Sequence, residues 1–425
     1  MRDIFVTLVV LGSIPSIFLQ PYIGILVWSW LGYMNPHRLT WGFAVNYPFA
    51  MIVGVVTLVA FVFSKESKRI PWTKETVLLL IFILWMLVTT FFAQYPSLAW
   101  VQMEKIAKIQ LMIFLTLILI NTRERLHALV WIIALSLGFY GIKGGIFTIT
   151  SGGGEHVMGP NGTFIGGNNE IGLALIMTIP LMRYLQLNTR QIWLRNGLAG
   201  AMFFTIIAIL GTQSRGALLG MSVMGLFLIM KSRQKVILLI LLSLAIPAAL
   251  SFMPQSWFDR MHTIKTYEAD QSAQGRIEAW QFAFDTAVKN PLTGGGFEIF
   301  AGRTEAHSIY FEILGEHGFV GLILFLMLWL FAWRAGGWVI KNAKSIPDAK
   351  WLSDLASMLQ VSLIGYAAAG TFLGLGYFDL YYHLFAMLVL CKVLMLKSQA
   401  GHAPAGTNGQ LKPWFERHGE QKQER

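Results

Sequence analysis

Apolar runs about 17 to 25 residues long, the length that crosses a bilayer, recur along nearly the whole chain, and this recurrence decides the fold class before any motif is considered. They are centred on residues 52–63, 77–92, 100–120, 126–148, 171–187, 198–210, 217–230, 236–252, 319–338, 355–373 and 381–396. Hydrophobic residues make up 55% of the 425 residues, charged residues 13%, and the mean hydropathy is +0.57, values that no soluble domain keeps in solution. In hydrocarbon every backbone polar group must be satisfied within its own segment, so such runs form helices. The expectation is an all-α polytopic integral membrane protein of about twelve transmembrane helices. The first stretch, residues 4–33, is broken by Pro15 and Pro21, and its length fits one crossing, two, or entry and return; if Met1 is inside, it makes a single broken crossing. Arg2 precedes it, but no small-residue cleavage pattern follows, so it reads as a retained helix rather than a signal peptide.

Charge sets the parity of the crossings. The short loops holding Lys65, Lys68 and Arg69, then Arg123 and Arg125, then Arg190 and Arg195, then Lys231, Arg233 and Lys235, and finally Lys341, Lys344 and Lys350 all belong in the cytoplasm by the positive-inside rule. The tail, with Lys412, Arg417, Lys422 and Arg425, falls on the same side. The formal net charge of +11 is thus a topology signal plus contact with anionic membrane lipid. No alternation of basic and aromatic residues supports nucleic-acid binding. The single cysteine, Cys391, rules out an intrachain disulfide and a cysteine-based metal site.

One long polar interruption, residues 254–317, breaks the series and faces the outside on this parity. The chain divides into helices with short loops (1–253), the long loop (254–317), C-terminal helices (318–397) and a disordered cytoplasmic tail (398–425), whose Gly, Pro, Lys and Glu content does not form a core. The segments 94–98, 151–169 and 213–216 share the outer side. The second of these, rich in glycine and asparagine, suits either a flexible turn or irregular backbone lining a cavity.

Cations near the outer side are candidate ligands for an anion. Arg215 is the only charged residue in the apolar hairpin 198–230. An arginine there either snorkels to water or is kept for a partner, and a guanidinium suits a phosphate, being always charged and bidentate. Lys105 and Lys108 lie three residues apart on one face of a helix, and Lys143 lies near the outer end of the next. The long loop carries an amphipathic helix over 276–288 that buries Trp280, Phe282 and Phe284 and ends at Asn290-Pro291. The turn Gly294-Gly295-Gly296 follows; its backbone N–H groups can approach a phosphate, although no lysine and threonine follow as in a P-loop. Glu268 and Asp270 can in principle hold a divalent ion, but the arginines can do the neutralising. No metal and no cofactor is expected.

Taken together, Arg276 and Trp280, the Asn290-Pro291 pair with Gly294 and Gly296, and His307-Ser308 followed after nine residues by Gly318 and after two more by Gly321 resemble the O-antigen ligase and polymerase superfamily. The histidine motif is of the ligase type, and Arg215 matches that family's outer-face arginine. The run PYIGILVWSWLGYMNPHRLTWGFA further resembles a branch named as O-glycosylation ligases associated with exosortase systems. The resemblance implies a GT-C-like membrane glycosyltransferase with a periplasmic active site in a Gram-negative inner membrane. It implies transfer of a glycan from undecaprenyl diphosphate to a sugar hydroxyl of the lipid A-core, in lipopolysaccharide biosynthesis.

On that reading His307 is the base or the group that orients the acceptor, since an imidazole is largely neutral at pH 7 and can take a proton. Arg215 and Arg276 hold the diphosphate and stabilise its developing charge. Lys105, Lys108, Lys143, Arg303, Ser308 and Trp280 make up the substrate-binding set, and direct displacement inverts the anomeric centre. Arg303 and Arg260 are alternatives for the role of Arg276, and Glu170, Glu312 and Glu316 are candidates to orient His307 or an arginine. Two other reactions use the same donor: a protein O-oligosaccharyltransferase, accepting on Ser or Thr, and a chain-extending O-antigen polymerase. A lipid transporter would place charges along a central path through the membrane, whereas here they gather toward the outer side.

Overall fold

The computed structural model describes residues 1–231, 235, 254, 255, 257, 258 and 271–401. The run at 236–252, Arg233, Arg260, Glu268, Asp270 and the tail from residue 402 lie outside the described residues. Among those described, the regular structure is helical throughout. The α-helices are α1 (Arg2–Leu19), α2 (Tyr22–Met34), α3 (Phe49–Phe63), α4 (Lys74–Phe91), α5 (Pro96–Leu119), α6 (Arg123–Thr150), α7 (Asn168–Asn188), α8 (Ile192–Gly211), α9 (Arg215–Lys231), α10 (Gln271–Lys289), α11 (Ile309–Asn342), α12 (Lys350–Gly370) and α13 (Asp379–Gly401). Eight of them, α1, α4, α6, α7, α8, α11, α12 and α13, are long and apolar enough to cross a membrane, and α2 and α3 are shorter apolar helices. The protein is a multi-pass membrane protein.

Helices in lipid gain little from burying apolar surface against one another, so close packing through small residues has to hold them together. On α6, Gly141 and Gly145 leave room for α8: a β-carbon at Gly145 would stand 2.3 Å from the Phe204 carbonyl oxygen, and one at Gly141 2.2 Å from the Thr205 hydroxyl. Gly220 of α9 and Gly365 of α12 serve the same purpose, against Ala369 and against Ile176 and Met224 respectively. Helices α7, α12 and α13 form the buried centre, and α1 and α8 lie at the periphery.

Of the readings open to the first stretch, the structure has two helices that run out and back. Pro15 lies within α1 without ending it, as transmembrane helices tolerate. The chain turns at Gln20-Pro21, whose carbonyls accept the amides of Ile23 and Gly24 at 3.0 Å each. Helix α2 then runs back beside α1: the Asp3 carboxylate accepts the amides of Gly42 at 3.1 Å and Ala44 at 3.0 Å, and Arg2 donates to the Leu39 carbonyl. The beginning of α1 and the segment after α2 therefore share one side, and the prolines mark a hairpin.

Cross-contacts define two ends of the bundle. At one end Arg125 pairs with Glu66 at 2.6 Å and lies 4.4 Å over the Tyr22 ring, Arg123 lies over Trp351, and Gln399 bonds Asn342. At the other end the Gln94 amide donates to the Gly295 carbonyl and Asn168 donates to the Thr212 carbonyl. This second, loop end carries His307, Arg215 and Arg276.

Candidate functional site

Helix α11 is broken where the site is built. Gly318 has φ +67° inside it, and the segment after α10 satisfies the backbone groups the break leaves open. The Phe319 amide donates to the Pro291 carbonyl at 2.9 Å, while the amides of Gly295 and Gly296 donate to the carbonyls of Gly315 and Glu316 at 2.8 and 2.9 Å. The Gly294 amide donates to the Asn290 carbonyl. All three amides of the glycine turn thus serve backbone carbonyls, so this turn clips a broken helix and does not cradle a phosphate. Its glycines are required by approach: a β-carbon at Gly296 would stand 2.3 Å from that of Ala93, and one at Gly294 2.6 Å from the Gly315 carbonyl oxygen.

Just ahead of α11, His307 sits in the left-handed region at φ +44°, a conformation that costs a non-glycine residue on the order of 1 kcal/mol. It is held from both sides. The Trp280 indole N–H donates to the carbonyl of Ala306 at 2.7 Å, and the same ring stacks on Phe311 with centroids 5.0 Å apart and planes 8° from parallel. Ser308, buried, starts α11, its carbonyl accepting the Glu312 amide at 2.9 Å. His307 Nδ1 and Ser308 Oγ are buried with no hydrogen-bond partner among the described residues. The His307 backbone lies under the 374–376 turn, with its amide nitrogen 3.7 Å from where a Gly374 β-carbon would be.

The two arginines stand on different helices. Arg276 lies one turn before Trp280 on α10, next to Gly275, which packs by Thr304. Arg215 opens α9, and the Gly216 beside it stands against Phe372, whose ring is 6.2 Å from Trp280. The Arg215 turn is buttressed by the glycine-rich segment 151–167: Gln213, at φ +53°, donates to the Gly153 carbonyl at 3.0 Å, and the Val157 amide donates to the Gly211 carbonyl at 2.9 Å. The segments that carry Arg215, Arg276 and His307 thereby meet around Trp280 and Phe372.

The remaining candidates divide. Lys105 lies 4.0 Å over the Phe164 ring and within the field of Glu298 and Asp379, so it stays at the loop end. Lys108 pairs with Glu104 on the exposed face of its own helix, a solvated pair that adds little. Lys143 is exposed among exposed Ile142, Ile146 and Phe147 on the outward face of α6. Arg303 is exposed and stacks 4.4 Å over Phe282. Phe284, expected to be buried, is 49% exposed, because α10 turns its alanines, Ala279, Ala283 and Ala287, inward instead.

Sequence reading left the carboxylates undecided and did not single out His317 or Tyr377. His317 is fully buried, its ring nitrogens bonded to Thr89 at 2.6 Å and to the Tyr377 hydroxyl at 2.8 Å. Tyr377 also donates to the Glu316 carboxylate, which accepts the Glu298 amide at 2.8 Å. Glu312 accepts the Gly376 amide at 2.9 Å, tying α11 to the turn that covers His307. Glu170 folds over Gly167 in the first turn of α7. Nearby, Arg38 lies against Gly162; burial first, and then the Arg38 charge, hold the His37 imidazole below its ordinary range. The adjacency of Glu316 and His317 to Gly318 was the available signal for this network, whereas nothing local marks Tyr377.

Residues 1–190 match a family of unknown function, DUF5935. Residues 200–326 match the family model described as O-Antigen ligase. No curated protein matches the chain. The matched segment holds Arg215, Arg276, Trp280, His307, Gly318 and Gly321, and over it the chain is similar to the O-antigen ligase family.

Proposed function

We propose that this protein is an O-antigen ligase that transfers a polysaccharide from undecaprenyl diphosphate to a sugar hydroxyl of lipid A-core, without a metal and with inversion. The observation that carries the reading is the meeting of the segments that carry Arg215, Arg276 and His307 around one aromatic pair at the loop end. Departure of a diphosphate needs fixed positive charge, and attack by a sugar hydroxyl needs a group that takes its proton. Two guanidiniums from separate helices supply the first. A histidine whose Nδ1 is buried without a partner among the described residues supplies the second.

In this scheme the acceptor oxygen forms a bond to the anomeric carbon as the bond to the diphosphate oxygen breaks. The hydroxyl proton passes to His307, and the electron pair leaves with undecaprenyl diphosphate. Lys105 stands as an outer cation on the approach, while Lys108 and Lys143 are assigned to lipid headgroup contact. Purified protein incubated with undecaprenyl diphosphate-linked glycan and lipid A-core should yield glycan-bearing lipopolysaccharide on a gel, with or without EDTA. His307→Ala should lower the rate by about 10²–10⁴-fold while eluting as the parent does in size exclusion. An active His307→Ala protein would remove the mechanism. A folded protein that glycosylates a Ser/Thr-rich substrate and leaves lipid A-core untouched would replace the acceptor.

A further inference from the structure

Helix α10 has two apolar sides, and among the described residues only one of them is packed. Ala279, Ala283 and Ala287, spaced by four, are buried, and Gly315 of α11 packs against Ala283. On the outward side Ile277, Phe284 and Val288 recur at the seven- and four-residue spacing of one helical stripe, and all three are exposed. Exposed Gln274, Glu278, Asp285 and Lys289 form the adjoining polar strip. A helix facing only water would not place such a stripe beside its charges.

The stripe is continuous with the exposed apolar face of α11, a helix long and apolar enough to cross a membrane. Phe284 meets Phe319 with ring centroids 6.3 Å apart, and Leu292, 63% exposed, lies against Gly318. From Phe319 the exposed residues Ile323, Leu326 and Leu330 continue down one stripe of α11, a helix long and apolar enough to span. We infer that the outward stripe of α10, Ile277, Phe284 and Val288, is seated in the hydrocarbon edge of the bilayer, so that this helix lies in the lipid–water interface with its charged strip toward water. The occupant of the stripe is a lipid surface, because the stripe joins the lipid-facing side of α11 and because an amphipathic helix with an adjoining charged strip is the form that interfacial helices take. A groove of about 320 Å³ between Ile277, Trp280, Phe284 and Phe311 then opens at the membrane surface, one turn from Arg276. The inference is independent of the transfer chemistry.

The native Cys391 is buried, so single cysteines can be labelled with an environment-sensitive fluorophore in proteoliposomes of phosphatidylethanolamine and phosphatidylglycerol. Labels at Phe284→Cys and Val288→Cys should emit at shorter wavelength than labels at Glu278→Cys and Lys289→Cys. They should be quenched by doxyl-labelled lipid and protected from aqueous iodide, the reverse of the two controls. Iodide quenching at positions 284 and 288 equal to that at 278 would overturn the inference. Protection from both quenchers would overturn it as well, by placing another protein surface over the stripe. Size exclusion of each variant checks the fold.

Discussion

His307 keeps a left-handed backbone only because Trp280, 27 positions earlier, holds the carbonyl in front of it. Trp280→Phe preserves the stack on Phe311 and removes the indole N–H. It should lower stability by about 1 kcal/mol and turnover by roughly tenfold, because small misplacements of a reacting group are expensive in rate. KM for the lipid-linked donor should hardly change, and steady-state kinetics separates the two effects. The arginines call for a different substitution. Lysine keeps the charge but loses the planar fork that can take two phosphate oxygens at once, so Arg215→Lys and Arg276→Lys should each lower turnover by about 10²-fold. Either variant retaining full activity would mean that its residue serves as a point charge or as packing.

At the scale of elements, the spacing from His307 through Gly318 to Gly321 has a mechanical reason. Gly318 is the break in α11: its φ is +67°, and a β-carbon there would stand 2.4 Å from the Leu292 carbonyl oxygen. Gly321, one turn on, leaves clearance for the side chain of His317. Gly318→Ala combines an unfavourable φ with a backbone collision and should destabilise the protein by at least about 2 kcal/mol, measured as thermal unfolding in detergent. Gly302, also at positive φ but with open space around it, should tolerate alanine better. The motif was legible in the sequence as a pattern, with His307, Arg215 and Arg276 as its proposed chemical members. Its mechanical purpose was not. Of the partners that make the break possible, Pro291 stood in the motif, but Leu292, Thr89 and Tyr377 come from other segments and carry no local signal. The glycine turn at 294–296 was open to misreading for the same reason: glycine announces close backbone approach, but not whether the approaching group is a phosphate or a carbonyl.

For the whole molecule, charge and length made the helical membrane class and the grouping of basic loops legible, because both signals are averaged over many residues. The first stretch was not legible, since two prolines in an apolar run fit a kinked crossing and a hairpin equally well. The decision lies in tertiary contacts: the Asp3 carboxylate on the amides of Gly42 and Ala44, and Arg125 over Tyr22 at the opposite end. These contacts put the beginning of α1 at the loop end, the end that carries His307. An epitope tag fused ahead of Met1 should therefore be reached from the same face of a sealed vesicle as a membrane-impermeant maleimide reaches Arg303→Cys, with buried Cys391 giving little background. Lys344→Cys, between α11 and α12, should label only after the membrane is opened. A tag that becomes accessible together with Lys344→Cys would mean that α1 and α2 run as one kinked crossing. Tags on both Met1 and position 303 reached from one face would fix the hairpin and, with it, put the N-terminal end of the chain on the side where transfer is proposed to occur.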